Sequence, residues 1–130
     1  MGKILLVHSD PVLGTELTFA LQHSGFQVVR AVDERQALFE IDGDHLALVV
    51  MAESAANTNG DEPLLRMREL CRAPIIILGE KQEETAGIEL LEMGADAYLT
   101  GPVNFRELLA RVRSLLRRGN LLSLDGRGLR

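Results

Sequence analysis

Few residues of this chain could carry out chemistry near neutral pH. Among its 130 residues are three histidines, His8, His23 and His45, and one cysteine, Cys71. Their spacing matches no zinc motif and allows no internal disulfide, so we expect neither a structural metal nor redox chemistry. His8 directly follows the apolar run 4–7, and a lone histidine there is typical of a neutral, hydrogen-bonded core residue rather than a ligand or a base.

The composition excludes several classes of protein. Fourteen Lys and Arg against nineteen Asp and Glu give a formal net charge of -5, so the chain lacks the basic surface of a protein that coats nucleic acid. No apolar run approaches the roughly 18 residues of a bilayer-spanning helix, and the N-terminal apolar run is too short for a signal peptide. We expect a soluble, cytoplasmic protein with no membrane contact, in which any DNA binding comes from elsewhere.

Alternating apolar runs and helical patterns predict the elements that position these residues. The runs typical of buried strands are 4–7, 28–29, 46–52, 75–78 and 97–99, and each is followed by a helical pattern. The predicted helices cover 11 to about 24, 33 to about 42, a segment with Pro63 in its first turn, about 82–93, and a segment from Asn104 to about 118. Asp10 and Asn104 are suited to cap helices, and glycines at 25, 43 and 94 are suited to end them.

Uninterrupted apolar strands followed by helices predict an α/β fold, because strands buried on both faces lose their alternating pattern. We expect a five-stranded parallel sheet in the order 2-1-3-4-5, doubly wound and flavodoxin-like. In such a sheet, ligands approach the carboxyl ends of the strands. The residues predicted at that edge are His8, Ser9, Asp10, the stretch 52–59, Gly79 and Gly101. The tail 119–130, with glycines at 119, 126 and 128, is predicted to be a linker after a domain of residues 1–118.

This edge lacks the residues that catalysis requires. Acid-base catalysis needs a titratable pair, a metal site needs converging ligands, and a phosphate cradle needs a glycine-rich loop at a helix start. Asp10 is better suited to cap a helix, and Ala52 has no reactive group. The segment 9–15 also lacks the hydroxyls and glycines that would hold a flavin phosphate. We therefore expect no enzyme activity and no cofactor.

Residues 3–118 resemble the receiver domain of bacterial response regulators, which is a CheY-like domain. The segment 94–102, GADAYLTGP, followed by Glu107, Leu108, Arg111 and Val112, is most similar to the OmpR/PhoB winged-helix subfamily. The resemblance implies that a histidine kinase phosphorylates an aspartate at the end of the third strand. It also implies a magnesium ion held by that aspartate and by an acidic pair after the first strand, with a hydroxyl residue after the fourth strand and a lysine after the fifth.

The matching positions of this chain carry none of those five groups. His8 and Ser9 replace the acidic pair, Ala52 replaces the phosphoacceptor, and glycines at 79 and 101 replace the hydroxyl residue and the lysine. Loss of the carboxylates together with loss of the lysine leaves a near-neutral pocket. Clustered carboxylates repel one another without a cation, and a buried ammonium group is costly without carboxylates. We expect no magnesium binding and no phosphorylation by the usual route. The degenerate pocket comprises His8, Ser9, Asp10, Ala52, Gly79 and Gly101.

Glu53, one position after Ala52, gives a rival interpretation as a substitute phosphoacceptor or a permanent negative charge. A shift of one residue along a strand turns the side chain to the other face of the sheet. We therefore expect Glu53 to be a solvated residue that opens the loop 53–60.

Opposite charges on the fourth and fifth predicted helices suggest an interface between two copies of this chain. Residues 79–98 include six acidic side chains and one basic, and residues 104–118 include five basic and one acidic. The resemblance implies a homodimer through the fourth helix, fifth strand and fifth helix. Its candidate residues are Glu89, Glu92, Asp96, Arg106, Glu107, Arg111 and Arg113. The alternative is that these charges are solvated or pair within one subunit.

The resemblance also assigns a role to Tyr98, which matches the family's switch aromatic. Because Gly79 removes its usual hydroxyl partner, simple packing or an interface role is at least an equal alternative. The peptide before Pro102 is expected to be cis.

Two hypotheses about function remain open. In the first, the domain dimerises without phosphorylation and controls a winged-helix DNA-binding domain beyond Arg130, with a kinase or another regulator as a further candidate partner. In the second, the pocket around His8, Ala52, Gly79 and Gly101 holds a small molecule or cofactor.

Overall fold

The computed structural model describes residues 2–41, 45–56, 63–80 and 84–128, without the side chains of 84–86 and 119–128. Its strands form one parallel sheet in the order β2-β1-β3-β4-β5, as the sequence predicts. The strands are β1 Lys3–Val7, β2 Gln27–Ala31, β3 Leu48–Ala52, β4 Ile75–Leu78 and β5 Ala97–Leu99. The helices are α1 Pro11–His23, α2 Glu34–Ile41, α3 Glu53–Ala56, α4 Pro63–Leu70, α5 Glu84–Met93 and α6 Phe105–Gly128.

Two apolar clusters cover the two faces of the sheet, and neighbouring strand residues alternate between them. Leu5 packs with residues of α2, α4 and α5, whereas Leu6 packs with residues of α1 and α6. Every residue of β3 is buried, because helices lie over both of its faces. This two-sided burial is the physical reason for the unbroken apolar runs in the sequence.

The helix caps predicted from the sequence are confirmed. The Asp10 carboxylate accepts hydrogen bonds from the backbone N–H groups of Val12 and Leu13 at 2.9 and 3.1 Å. Asn104 accepts from the N–H of Glu107 at 3.0 Å. These side chains satisfy donors that the first turn of a helix leaves unpaired, and so they fix where α1 and α6 begin.

Three predicted boundaries differ from the structure. The edge strand β2 extends to Gln27–Ala31, because its outer positions are exposed and polar residues there interrupt the apolar run. The polar stretch after β3 begins with the short helix α3 rather than a loop. Helix α6 continues to Gly128, although the sequence predicts a linker from residue 119.

Some predicted features can be compared only in part. The helix stop at Gly43 and the turn at Gly60 lie outside the described residues. The predicted cis peptide between Gly101 and Pro102 is present.

In the part of the chain that the structure describes, no helix combines the length and apolar character needed to cross a membrane.

Candidate functional site

The carboxyl ends of the central strands bring the predicted pocket residues together. Ala52 pairs with Leu78 in the register of β3 and β4, so Gly79 lies beside the start of α3. The backbone N–H of Gly79 donates to the carbonyl of Leu99 at 2.6 Å, which joins the ends of β4 and β5. The resulting cleft has a volume of about 600 Å³ and is lined by five of the six predicted residues: His8, Ser9, Asp10, Gly79 and Gly101.

Ala52 is the predicted pocket residue that does not line this cleft. It ends β3 and is 1% exposed. Its strand partner Leu78 does line the cleft, so the place of Ala52 in the degenerate pocket stays a prediction. Its methyl group contributes to core packing.

His8 is buried and hydrogen-bonded, as the sequence predicts. It is 7% exposed, and its Nδ1 atom accepts a hydrogen bond from the backbone N–H of Asp10 at 3.1 Å. A ring nitrogen that accepts carries no proton, so in the neutral ring the proton lies on Nε2. The two neighbours of His8 on this edge, Ser9 and Asp10, are exposed.

Glu53 is the main site residue that sequence analysis assigned wrongly. It is half-buried rather than solvated. Its Oε1 atom accepts hydrogen bonds from the Tyr98 hydroxyl and from the backbone N–H of Glu80, both at 3.0 Å. The strand rule fails here because Glu53 begins α3, where side chains follow a helical rather than a two-residue period.

Glu80 completes a reciprocal link between the ends of β3 and β4. Its Oε1 atom accepts from the backbone N–H of Ser54 at 2.9 Å, while its own N–H donates to Glu53. Each carboxylate thus holds the backbone that follows the other strand. The sequence held one signal for this arrangement, since Glu53 directly follows β3 and Glu80 comes two residues after the end of the adjacent strand β4.

Two glycines make room for the ring of Tyr98. A Cβ atom at Gly87 would lie 2.6 Å from Cδ2 of Tyr98, and one at Gly79 would collide with the tyrosine hydroxyl. The ring therefore occupies the space that a side chain at residue 79 would need. The absence of a side chain at Gly79 thus leaves room for Tyr98 to reach Glu53.

Acidic and basic side chains flank β5 on opposite faces of the sheet. On α5, Glu89 and Glu92 are exposed, together with the apolar side chains of Ile88 and Leu91, which are 55% and 44% exposed. The four candidate residues of α6 are also exposed: Arg106, Glu107, Arg111 and Arg113. Within the described residues, no carboxylate of α5 forms an ion pair with an arginine of α6.

Asp96 differs from the other predicted interface residues because it is used within the chain. Its Oδ2 atom accepts from the backbone N–H of Ile75 at 2.8 Å and lies 3.1 Å from Nη1 of Arg68. Arg68 also donates to the carbonyl of Gly94 at 2.9 Å. These contacts hold the turn before β5 against the end of α4.

The residues at this edge do not fit the magnesium site that the family resemblance implies. Ala52 offers no oxygen ligand from its side chain, and the Oδ1 atom of Asp10 already accepts two N–H groups of α1. Among the described residues, no three side chains of the His, Cys, Asp or Glu types come close enough together to hold a metal ion. Magnesium prefers several converging hard oxygen ligands, and the described residues of this edge do not bring such a set together.

Comparisons with known proteins agree with this fold. A family model described as the response regulator receiver domain matches residues 4–113. The transcriptional regulatory protein CpxR of Escherichia coli strain K12 is 39% identical over 120 residues, which cover 92% of this chain and 51% of CpxR. The sensory transduction protein RegX3 of Mycobacterium tuberculosis strain H37Rv is 32% identical over 119 residues, covering 92% of this chain and 52% of RegX3. The chain thus spans about half the length of these relatives.

Solved structures show the same architecture. The receiver domain of the Francisella response regulator 1452 superposes with a TM-score of 0.83 at 28% identity, covering 92% of this chain and 99% of that chain. The receiver domain of the TMAO respiratory system response regulator TorR gives a TM-score of 0.80 at 26% identity, covering 91% and 98% of the two chains.

Proposed function

The chain belongs to the response regulator receiver domain family, and from this premise we propose that it is a receiver that signals without phosphorylation, through dimerisation on the face formed by α5, β5 and α6. The observation that carries the proposal is the hydrogen bond from the Tyr98 hydroxyl to the Glu53 carboxylate. It supplies a permanent anionic partner for Tyr98 at the edge where the family resemblance implies a transient phosphoryl group.

The phosphoacceptor position argues against the usual chemistry. Phosphoryl transfer needs a nucleophilic oxygen and, in this family, a metal that neutralises the developing charge. Ala52 provides a methyl group that is 1% exposed, and the surrounding residues do not suit magnesium. The role of the domain is therefore signalling by a surface rather than catalysis.

The carboxylate of Glu53 can substitute for a phosphoryl group in one respect. It carries a negative charge and accepts hydrogen bonds from groups on β5 and on the segment after β4. These bonds hold Tyr98 towards the pocket and join the start of α3 to the loop before α5. The α5–β5–α6 face is thereby kept in one arrangement without any modification.

The exposed side chains of that face favour a second copy of the chain as its partner. Ile88 and Leu91 expose apolar surface between charged neighbours, a pattern typical of the centre and rim of an interface. Under two-fold symmetry, the carboxylates Glu89 and Glu92 of one copy can meet the arginines of α6 of the other. Asp96 is not part of this charge pairing, because Arg68 already engages it.

An output domain beyond Arg130 would convert dimerisation into transcriptional control. CpxR, which is named as a transcriptional regulatory protein, is about twice as long as the part this chain matches. We assign the DNA-binding role to such an attached domain, since this chain carries a net charge of -5. Kinases or other regulators remain candidate partners of the face.

Sedimentation analysis of the whole chain tests the proposal. We expect a dimer whose dissociation constant is the same with and without acetyl phosphate and magnesium, and no increase in the intact mass after that treatment. Ile88→Glu should shift the chain to monomer, because it places a charge in the apolar centre of the face. Phe39→Glu is the matched control, since Phe39 is an exposed apolar residue on α2. Covalent phosphorylation, or a monomer at high protein concentration, would refute the proposal.

A further inference from the structure

The described residues that line the cleft at the carboxyl edge of the sheet carry charge of one sign. The carboxylates of Asp10, Glu16 and Glu80 line it, and among the described residues around it there is neither lysine nor arginine. All three are exposed, and none of them forms an ion pair in the part of the chain that the structure describes. The described lining therefore favours a positively charged group over phosphate.

Apolar side chains form the remaining walls of the cleft. Leu13 of α1 and Phe105 of α6 contribute one side, with Leu78, Pro102 and Val103 near them. The volume of about 600 Å³ falls within the range of roughly 300–1,000 Å³ that is typical of small-molecule sites. Such walls suit the hydrocarbon or aromatic body of an organic molecule.

The ring of His8 also offers a hydrogen-bond donor to this cleft. His8 lines it and is 7% exposed, and its Nδ1 atom is occupied by the N–H of Asp10. The proton on Nε2 has no acceptor among the described residues. A nearly buried polar group of this kind contributes most when a ligand provides its partner.

The spacing of the carboxylates favours an extended organic cation over a bare metal ion. No three ligand side chains converge within the described residues, and one oxygen of Glu80 already accepts the N–H of Ser54. An ammonium or guanidinium group needs fewer ligands than magnesium does, and it can bond to one or two carboxylates while its body packs on Leu13 and Phe105.

We propose that the cleft binds a small organic cation, made of an ammonium, amidinium or guanidinium group on an apolar body that also carries a hydroxyl or carbonyl acceptor for His8. The site lies apart from the exposed faces of α5 and α6, so its occupancy and the dimer are tested by separate measurements.

Tyramine and its neutral analogue 4-hydroxyphenylethanol form a matched pair of probes. Both have an aromatic body and a hydroxyl group, and they differ in the ammonium group. In titrations of the ¹⁵N-labelled chain followed by amide resonances, tyramine should cause saturable shifts at residues 10, 16, 80 and 103. The neutral analogue should bind at least about tenfold more weakly, because it lacks charge-assisted bonds to the carboxylates. Magnesium chloride alone should cause no saturable shifts at these residues.

Two double variants separate the cleft from the net charge of the protein. Glu16→Gln with Glu80→Gln should weaken tyramine binding by about tenfold, since each replaces a carboxylate by an amide of the same shape. Glu40→Gln with Glu69→Gln removes the same charge from α2 and α4, away from the cleft and from the dimer face, and should leave the affinity unchanged. The proposal is overturned if tyramine causes no saturable shifts, if the neutral analogue binds equally well, or if magnesium shifts the same residues. It is also overturned if both double variants weaken tyramine binding equally.

Discussion

Replacing Tyr98 by phenylalanine removes the hydroxyl that joins β5 to the start of α3 and leaves the ring in place. Replacing Glu53 by alanine removes the acceptor of the same bond, together with the acceptor for the N–H of Glu80. If this bond holds the site together, the two substitutions should not be additive. The double variant should lose less stability than the sum of the single variants.

The size of the coupling follows from the geometry. A hydrogen bond to a charged group contributes about 1.5–3 kcal/mol when it is shielded from water. Glu53 and Tyr98 are both half-buried, so water competes for the carboxylate. We therefore expect a coupling free energy of about 1 kcal/mol between the two positions. Glu53→Ala should destabilise more than Tyr98→Phe, because it also leaves the N–H of Glu80 without its acceptor.

Urea unfolding of the four proteins of this double-mutant cycle measures the coupling. The chain contains one tyrosine and no tryptophan, so intrinsic fluorescence reports Tyr98 wherever that residue is kept, and circular dichroism serves the phenylalanine variants. Glu69→Ala with Tyr98→Phe is the control cycle, because Glu69 is an exposed residue of α4. A coupling below about 0.3 kcal/mol, which is the scatter of independent sites, would show that the bond does not hold Tyr98.

Three further predictions concern other contacts of the site. Asp10→Ala should lower the free energy of unfolding by about 1 kcal/mol, and Asp10→Asn should lower it by less, because asparagine keeps a capping oxygen. Equal losses for the two variants in urea unfolding would contradict the capping role of Asp10. Arg68→Ala should cost about 2–3 kcal/mol, because it removes the cationic partner of Asp96 and leaves the carbonyl groups of Cys71, Ala73 and Gly94 without this donor. A smaller loss in Arg68→Ala than in Arg68→Lys would contradict this reasoning. Gly79→Thr introduces a hydroxyl but should lower the free energy of unfolding by about 1–3 kcal/mol, because its side chain overpacks against Tyr98. The substitution should also change the tyrosine fluorescence. Adding Tyr98→Leu should recover most of the lost free energy of unfolding.

The order of the sheet was predictable because local patterns specify it. Each apolar run has the length of a strand, and each is followed by a helix signal such as Asp10 or Asn104. A chain of strand-helix repeats with fully buried strands has few alternatives to a doubly wound sheet. Boundaries were less predictable where a strand lies at the edge, as at Gln27, because partial exposure removes the apolar signal.

The candidate site was predictable in its position and not in its contacts. The edge where His8, Gly79 and Gly101 meet follows from the topology, since the carboxyl ends of parallel strands lie together. The role of Glu53 depended on whether the chain continued as a strand or began a helix after Ala52. No local pattern decided this, and the direction of the side chain depends on it.

The sequence by itself determined the sheet order, the helix starts and the presence of alanine at residue 52, because these depend on residue identity and on short-range periodicity. The tertiary structure alone decided that Glu53 accepts from Tyr98 and from the N–H of Glu80. These partners lie 45 and 27 residues away along the chain. Contacts at such separations arise only when strands pair, and the direction in which a side chain points is then set by packing rather than by the residues beside it.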